Sequence, residues 1–222
     1  MEATKFVNIH THKATGHCIE LLNWDNLDQT PENKFVSAGL HPWNIGKCNH
    51  LQAIETLHEW CSTGIISAIG EIGLDHCAEA DAKTQAEIFT QQLQIAQING
   101  LPAIIHCVKA YSDILQILNS EKPAIPVIFH GFTGNCTTMH QLERHNVFFS
   151  FGKRLLTSKD AQSSLANANS DRIFFETDND DIPIDNIYNF AASIMNVDID
   201  ELKQTTFSNL IKIFGEKWTT VG

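Results

Sequence analysis

The chain has 222 residues, 43% of them hydrophobic and 18% charged, which supplies one sizeable core and excludes a disordered or fibrous chain. Its formal net charge of −11 at pH 7 argues against a basic stripe that grips long duplexes through many phosphate contacts, so any nucleic-acid contact is expected to be local. No run approaches the length of a membrane span. The opening Met1-Glu2-Ala3-Thr4-Lys5-Phe6 has no basic region followed by an apolar one, which makes a cytoplasmic protein the expectation. Six cysteines, Cys18, Cys48, Cys61, Cys77, Cys107 and Cys136, form no C-x-x-C pair and read as reduced, mostly buried thiols.

Short β-branched or aromatic runs alternate with longer segments of helical periodicity. A strand is predicted over Phe6 to His12, a weak one over Cys18 to Leu22, and a third over Phe35 to His41, followed by a helix over Leu51 to Cys61. Strand Ile66 to Asp75 leads to helix Thr84 to Asn99, where Ile88, Phe89, Leu93 and Ala96 share one face and Gln91, Gln92 and Gln94 mostly cover the other. Gly100-Leu101-Pro102 ends that helix and starts strand Pro102 to Val108. Helix Tyr111 to Glu121, strand Pro126 to Phe132, helix Thr137 to His145, strand Val147 to Gly152, helix Ser158 to Ala168 and strand Ile173 to Asp178 follow, and Ile199 to Phe214 reads as a closing helical pair. Only Lys13 to His17 separates the first strand from the weak second. A parallel crossover needs at least about ten residues, so the second strand either lacks its preceding helix or pairs irregularly. The expected fold is a compact (β/α)8 TIM-type barrel filling residues 1–222 as a single domain, with an eroded second strand and a missing or shortened first helix.

Potential metal ligands stand at or beside the ends of these strands. His10 and His12 are two residues apart, and strand geometry points alternate side chains to one face, so both can bind one ion. Glu71 is a carboxylate inside an apolar strand, where an unpaired charge would cost several kcal/mol. A cation must face it, either a basic side chain or a metal, and its two oxygens can bridge two divalent ions roughly 3.5 to 4 Å apart. His106 closes Ala103-Ile104-Ile105 and His130 closes Val127-Ile128-Phe129. Such histidines are common as hydrogen-bonded core residues, but two at the carboxyl ends of successive strands are harder to ascribe to packing. Asp178 repeats the pattern, with a helix-capping role as its alternative near Pro183.

In this order, His10-x-His12, Gly39-Leu40-His41-Pro42, Gly70-Glu71-Ile72-Gly73-Leu74-Asp75, Ile105-His106-Cys107, His130-Gly131-Phe132-Thr133-Gly134 and Glu176-Thr177-Asp178 resemble the motifs of TatD-type metal-dependent hydrolases, over Phe6 to about Phe214. The resemblance implies a barrel of the amidohydrolase superfamily that binds one or two divalent ions and acts as a deoxyribonuclease. It implies His10, His12, Glu71 and Asp178 on one metal, with Glu71, His106 and His130 on the other. Three places depart from the family pattern. Lys13-Ala14 replaces the usual leucine and aspartate, Val108 followed by Lys109 replaces an arginine two positions after His106, and Asn179-Asp180-Asp181 replaces a small residue and proline. All three lie outside the ligand set and bear on substrate choice.

The chemistry expected is attack by a water whose pKa a divalent ion lowers, with Asp178 accepting its proton and Glu71 holding the ions. His41 is placed to touch a substrate oxygen or to be satisfied within its turn. Lys109 stands in for the missing arginine or is simply solvated, and Glu176, on the strand face of Asp178, supports rather than binds. The metal is zinc, manganese, magnesium, nickel or iron on donor chemistry alone. The expected substrate is a DNA strand end or a small phosphoester, with no membrane and no obligate protein partner. A hydrolase of a small ester, amide or lactone is the competing enzyme, and a metal-binding protein without turnover the competing class.

Overall fold

The computed structural model describes residues 5–33 and 35–216; Met1 to Thr4 of the opening segment lie outside the described residues. Eight strands follow one another: β1 (Val7–Thr11), β2 (Ile19–Trp24), β3 (Val36–Ala38), β4 (Ala68–Asp75), β5 (Ala103–Val108), β6 (Val127–Phe129), β7 (Val147–Phe151) and β8 (Ile173–Phe175). Among the described residues seven α-helices accompany them: α1 (His50–Ser62), α2 (Ala82–Asn99), α3 (Tyr111–Glu121), α4 (Cys136–Leu142), α5 (Lys159–Asn167), α6 (Ile184–Met195) and α7 (Ile199–Phe214). The strands are ordered β1 to β8 in one sheet, the topology of a (β/α)8 TIM-type barrel. β1, β3, β4, β6, β7 and β8 are buried throughout, as parallel strands covered on both faces must be.

By contact density the chain divides into two compact units, one built from residues up to Leu22, His130–Gln141 and from Phe148 onward, the other from Asn23–Phe129 and Leu142–Val147. In the first, β1 pairs with β2 in parallel with an irregular register between Asn8 and Thr11, and Ile19 N–H reaches Phe6 O directly across the short connection. No helix lies between them among the described residues. β2 itself carries six residues, so the shortening falls on the connection and not on the strand. Tyr188 of α6 is fully buried. Its hydroxyl donates to Val7 O at 2.9 Å, accepts from Val7 N–H, and bonds Thr206 of α7 at 2.8 Å, while its ring packs on Phe6 and Phe175.

In the second unit, β3, β4, β5 and β6 pair in parallel around Val36, Ile69, Ile72, Ile104, Ile105, Ile128 and Phe129, all solvent-free. α2 starts at Asp81, which accepts from Thr84 N–H, and stops at Gly100 in the left-handed region at φ 65°. Gln92 does not lie on the outer face as its spacing predicts. It is buried, accepting from Leu40 N–H at 2.6 Å and donating to Leu40 O, because the chain leaving β3 has no sheet partner there and its peptide groups need one.

One helical expectation is corrected. Ile199 to Phe214 is one uninterrupted helix, α7, since no glycine or proline breaks it, and its partner is the unforeseen α6, which buries Ile187, Tyr188, Ala191 and Ala192. All six cysteines are free thiols, but only Cys61 is buried; Cys18, Cys107 and Cys136 are half-buried, and Cys48 and Cys77 exposed. Burial pushes Cys18, Cys61 and Cys107 up to about 12, with the Glu20 carboxylate adding to the rise at Cys18. Since the thiolate is the nucleophile, and a thiol with that pKa is about one part in 10⁴ ionised at pH 8, iodoacetamide should modify Cys48 and Cys77 of the folded protein well ahead of these three. Peptide mass spectrometry after brief exposure checks the order.

Candidate metal centre

In the first unit, the ligand candidates come from β1 and the chain just beyond β8. Asp178 N–H donates to His10 O at 3.1 Å and His12 N–H donates to Asp178 O at 3.0 Å, forming a parallel bridge between Thr11 and Asp178. These bonds set the aspartate against both imidazoles: Oδ1 lies 3.5 Å from His10 Nε2 and 3.4 Å from His12 Nε2. Asp178 has φ 53°, a left-handed conformation that a short polar residue tolerates. It does not cap α6, whose N-cap is Pro183 with no side-chain cap bond. Burial alone would raise the Asp178 pKa, but hydrogen bonds from His10 and His12 and the charge of His10 and His130 outweigh it and hold the carboxyl well below the usual range. It is an anion at neutral pH.

His130, just past β6, stacks at 4.4 Å between ring centroids on His10. Glu176 is fully buried, and its Oε1 accepts from Gly131 N–H at 2.6 Å and sits 3.3 Å from His130 Nδ1. That contact places the Nδ1 proton on the glutamate side and leaves Nε2 as the donor to a metal.

In the second unit, Glu71 Oε1 lies 2.5 Å from His106 Nδ1 and 3.3 Å from His41 Nε2. The register explains the first contact. His106 is level with Gly73, which offers no side chain, and the carboxylates two residues to either side take its ring nitrogens: Glu71 at Nδ1 and Asp75 at Nε2, 3.2 Å away. Asp75 was not foreseen as part of the site. It is buried, and besides His106 its carboxylate accepts from Cys77 N–H at 2.7 Å and Trp43 Nε1–H at 2.6 Å. Burial would raise its pKa, but these bonds prevail and lower it. Gln85 of α2 clamps the Asp75 backbone at both N–H and C=O. No local pattern betrays Asp75, Trp43 or Gln85, because each acts on a partner in another element.

His41 belongs with this cluster. Its Nδ1 accepts from Trp43 N–H at 3.0 Å, which keeps the proton on the Nε2 that faces Glu71. Lys109 stands exposed one residue beyond β5 at φ 56°. Two departures from the family pattern meet in the first unit: Lys13 Nζ lies 3.0 Å from Asp181 Oδ1. Both ends are exposed, so the pair contributes at most about 1 kcal/mol.

The donors suit a divalent cation. Ligand atoms of His10, His12 and Asp178 lie within 4.8 Å of one another, as do those of His41, Glu71 and His106, and the 3.3 to 3.5 Å separations above are those of atoms sharing an ion at roughly 2.0–2.2 Å. No cysteine enters either group, whereas closed structural zinc sites favour thiolates.

Known proteins resemble this chain over most of its length. The sequence model of the family "TatD related DNase" matches residues 25–215. The chain is 31% identical over 160 residues to the uncharacterized metal-dependent hydrolase YabD of Bacillus subtilis, covering 68% of this chain and 63% of that protein. It is 27% identical over 201 residues to YcfH of Escherichia coli, covering 82% and 74%, and 32% identical over 115 residues to the 3'-5' ssDNA/RNA exonuclease TatD of Pectobacterium carotovorum, covering 51% and 43%. The chain thus spans less than two thirds of the Bacillus and Pectobacterium relatives. Among solved structures, the TatD homologue YJJV of E. coli superposes with a TM-score of 0.80 at 18% identity, covering 96% of this chain and 98% of that one, a likeness of fold. With the family model matching residues 25–215, which hold β3 to β8, the chain belongs to the TatD-related DNase family of metal-dependent hydrolases.

Proposed function

We propose that the protein is a divalent-metal-dependent phosphodiesterase that trims the ends of DNA strands. The observation that carries the reading is the pair of mixed imidazole and carboxylate clusters at the carboxyl ends of the strands, where parallel α/β folds place their chemistry. The exonuclease named among the relatives supports the substrate class. In this reading His10, His12 and Asp178 hold one ion and Glu71 and His106 a second, with His130 and a shared Glu71 as the family resemblance assigns them. A bound divalent ion would supply an acidified water and a counter-charge for the phosphate.

The chain's own residues divide the rest of the work. Asp178, 40% exposed at its side chain, is the carboxylate of its cluster open to solvent and takes the proton of the attacking water. Glu176, enclosed, orients His130. Asp75 orients His106. His41 contacts a substrate oxygen when not engaged with Glu71, and Lys109 meets a phosphate further along the strand.

Protein stripped with EDTA and reloaded with manganese or zinc should shorten an end-labelled single-stranded oligonucleotide stepwise, more slowly at 200 mM than at 50 mM salt, and stop when EDTA is restored. The net charge of −11 favours a second reading, a hydrolase of small neutral esters or lactones. Intact oligonucleotide with every metal tried, beside turnover of such an ester, would establish that reading instead.

A further inference from the structure

We infer that Trp43 is a stacking platform for the terminal nucleobase of a single-stranded nucleic-acid end, a subsite beside the Glu71 cluster; the inference rests on the nuclease reading above. Trp43 is 57% exposed, yet neither its backbone nor its ring is free to turn. The backbone N–H donates to His41 Nδ1 at 3.0 Å, the indole Nε1–H donates to Asp75 Oδ2 at 2.6 Å, and the ring meets His41 edge to face at 5.4 Å. Pro42 before it is buried and opens the short 3-10 turn that carries it. A large flat surface is therefore held toward solvent with its rotational entropy already lost, which is what a preorganised contact for a flat ligand requires.

Its anchors give its location. The Asp75 oxygen that accepts the indole proton is also 3.2 Å from His106 Nε2, and the histidine that accepts its amide reaches Glu71. His41 thus touches the carboxylate of the cluster directly, and Asp75 is linked to it through His106. The other exposed large apolar residues among the described residues, Leu51 and Ile98, lie on helices α1 and α2, away from these anchors. A chain of net charge −11 contacts few phosphates and so displaces few counterions, and non-ionic contacts must add to its affinity for a strand end. Stacking of a base on an aromatic ring contributes about 1–3 kcal/mol and tolerates any base.

The test uses two single-stranded oligonucleotides differing only in whether the terminal nucleotide at the cleaved end carries its base or is abasic. Binding is followed by fluorescence anisotropy in EDTA, and KM and kcat on the manganese-loaded enzyme. The wild type should bind the base-bearing end about tenfold more tightly, with the difference falling in KM. Trp43→Phe retains a ring but loses the bond to Asp75, and it should keep most of that ratio; Trp43→Ala should bring it to one. Equal binding of the two ends by the wild type, or a ratio retained in Trp43→Ala, would overturn the inference. So would loss of the ratio in both variants, which would make Trp43 a support for Asp75. If the wild type neither binds nor shortens either oligonucleotide, the nuclease reading fails with it, whereas shortening of both without discrimination sinks the stacking subsite alone.

Discussion

Glu71→Gln is expected to lower hydrolysis by about three orders of magnitude, the scale of removing a preorganised charge from a reacting centre, while leaving the fold intact. Glu71 is 6% exposed at its side chain and faces His41 and His106. Glutamine keeps the shape and one acceptor oxygen, so the two imidazoles retain a hydrogen-bond partner and circular dichroism should be unchanged. The lost negative charge is what a divalent ion needs from this cluster. Elemental analysis of the purified variant should therefore show less bound metal than the wild type, and loss of both equivalents, instead of one, is the result expected if Glu71 serves two ions as the family pattern assigns. Full metal content with undiminished turnover would remove Glu71 from the site.

Gly73→Ala should destabilise the protein by about 3 kcal/mol or more, the upper range of overpacking, and lower its melting temperature by roughly 6–12 °C for a chain of this size. A Cβ at Gly73 would stand 2.0 Å from His106 O, against backbone that cannot rotate away, and the residue sits at φ +143°. β4 and β5 would have to part where His106 reaches between Glu71 and Asp75, so metal binding should fall together with stability. Gly46→Ala is the control. Gly46 also has a positive φ, +87°, but nothing lies within 4 Å of its added Cβ, so it carries only the conformational cost of about 1–2 kcal/mol. Equal melting temperatures for the two variants would show that the close approach of the strands is not what selects glycine at 73.

Both variants probe positions whose ligand-bearing motif is visible in the sequence but whose partners are not. The strands could be read because parallel strands buried on both faces leave continuous apolar runs, each closed by one polar residue: Ile105 then His106, Phe129 then His130. Helix α6 is absent from the predicted elements, although Ile184, Ile187, Tyr188, Ala191 and Ala192 carry a helical stripe behind a proline well suited to a helix start. Residue type predicts Gln92 on the surface and gives no sign of Gln85, because the unpaired peptide groups of Leu40 and Asp75 that draw them inside are tertiary facts. Asp75 stood in plain view at the end of a motif. Its meaning depends on Trp43, 32 residues away in sequence, and on a glycine that opens a slot for His106.

The bridge between Thr11 and Asp178 also fixes when the protein can mature. The carboxylate that completes the cluster of His10 and His12 is translated 166 positions after His12, and the bonds that orient it are made only then. Synthesis at about 5–20 residues per second separates the two events by about 10–30 s. A chain terminated before Asp178 holds both histidines without their aspartate, so translation stalled between them yields no fragment with an assembled first cluster.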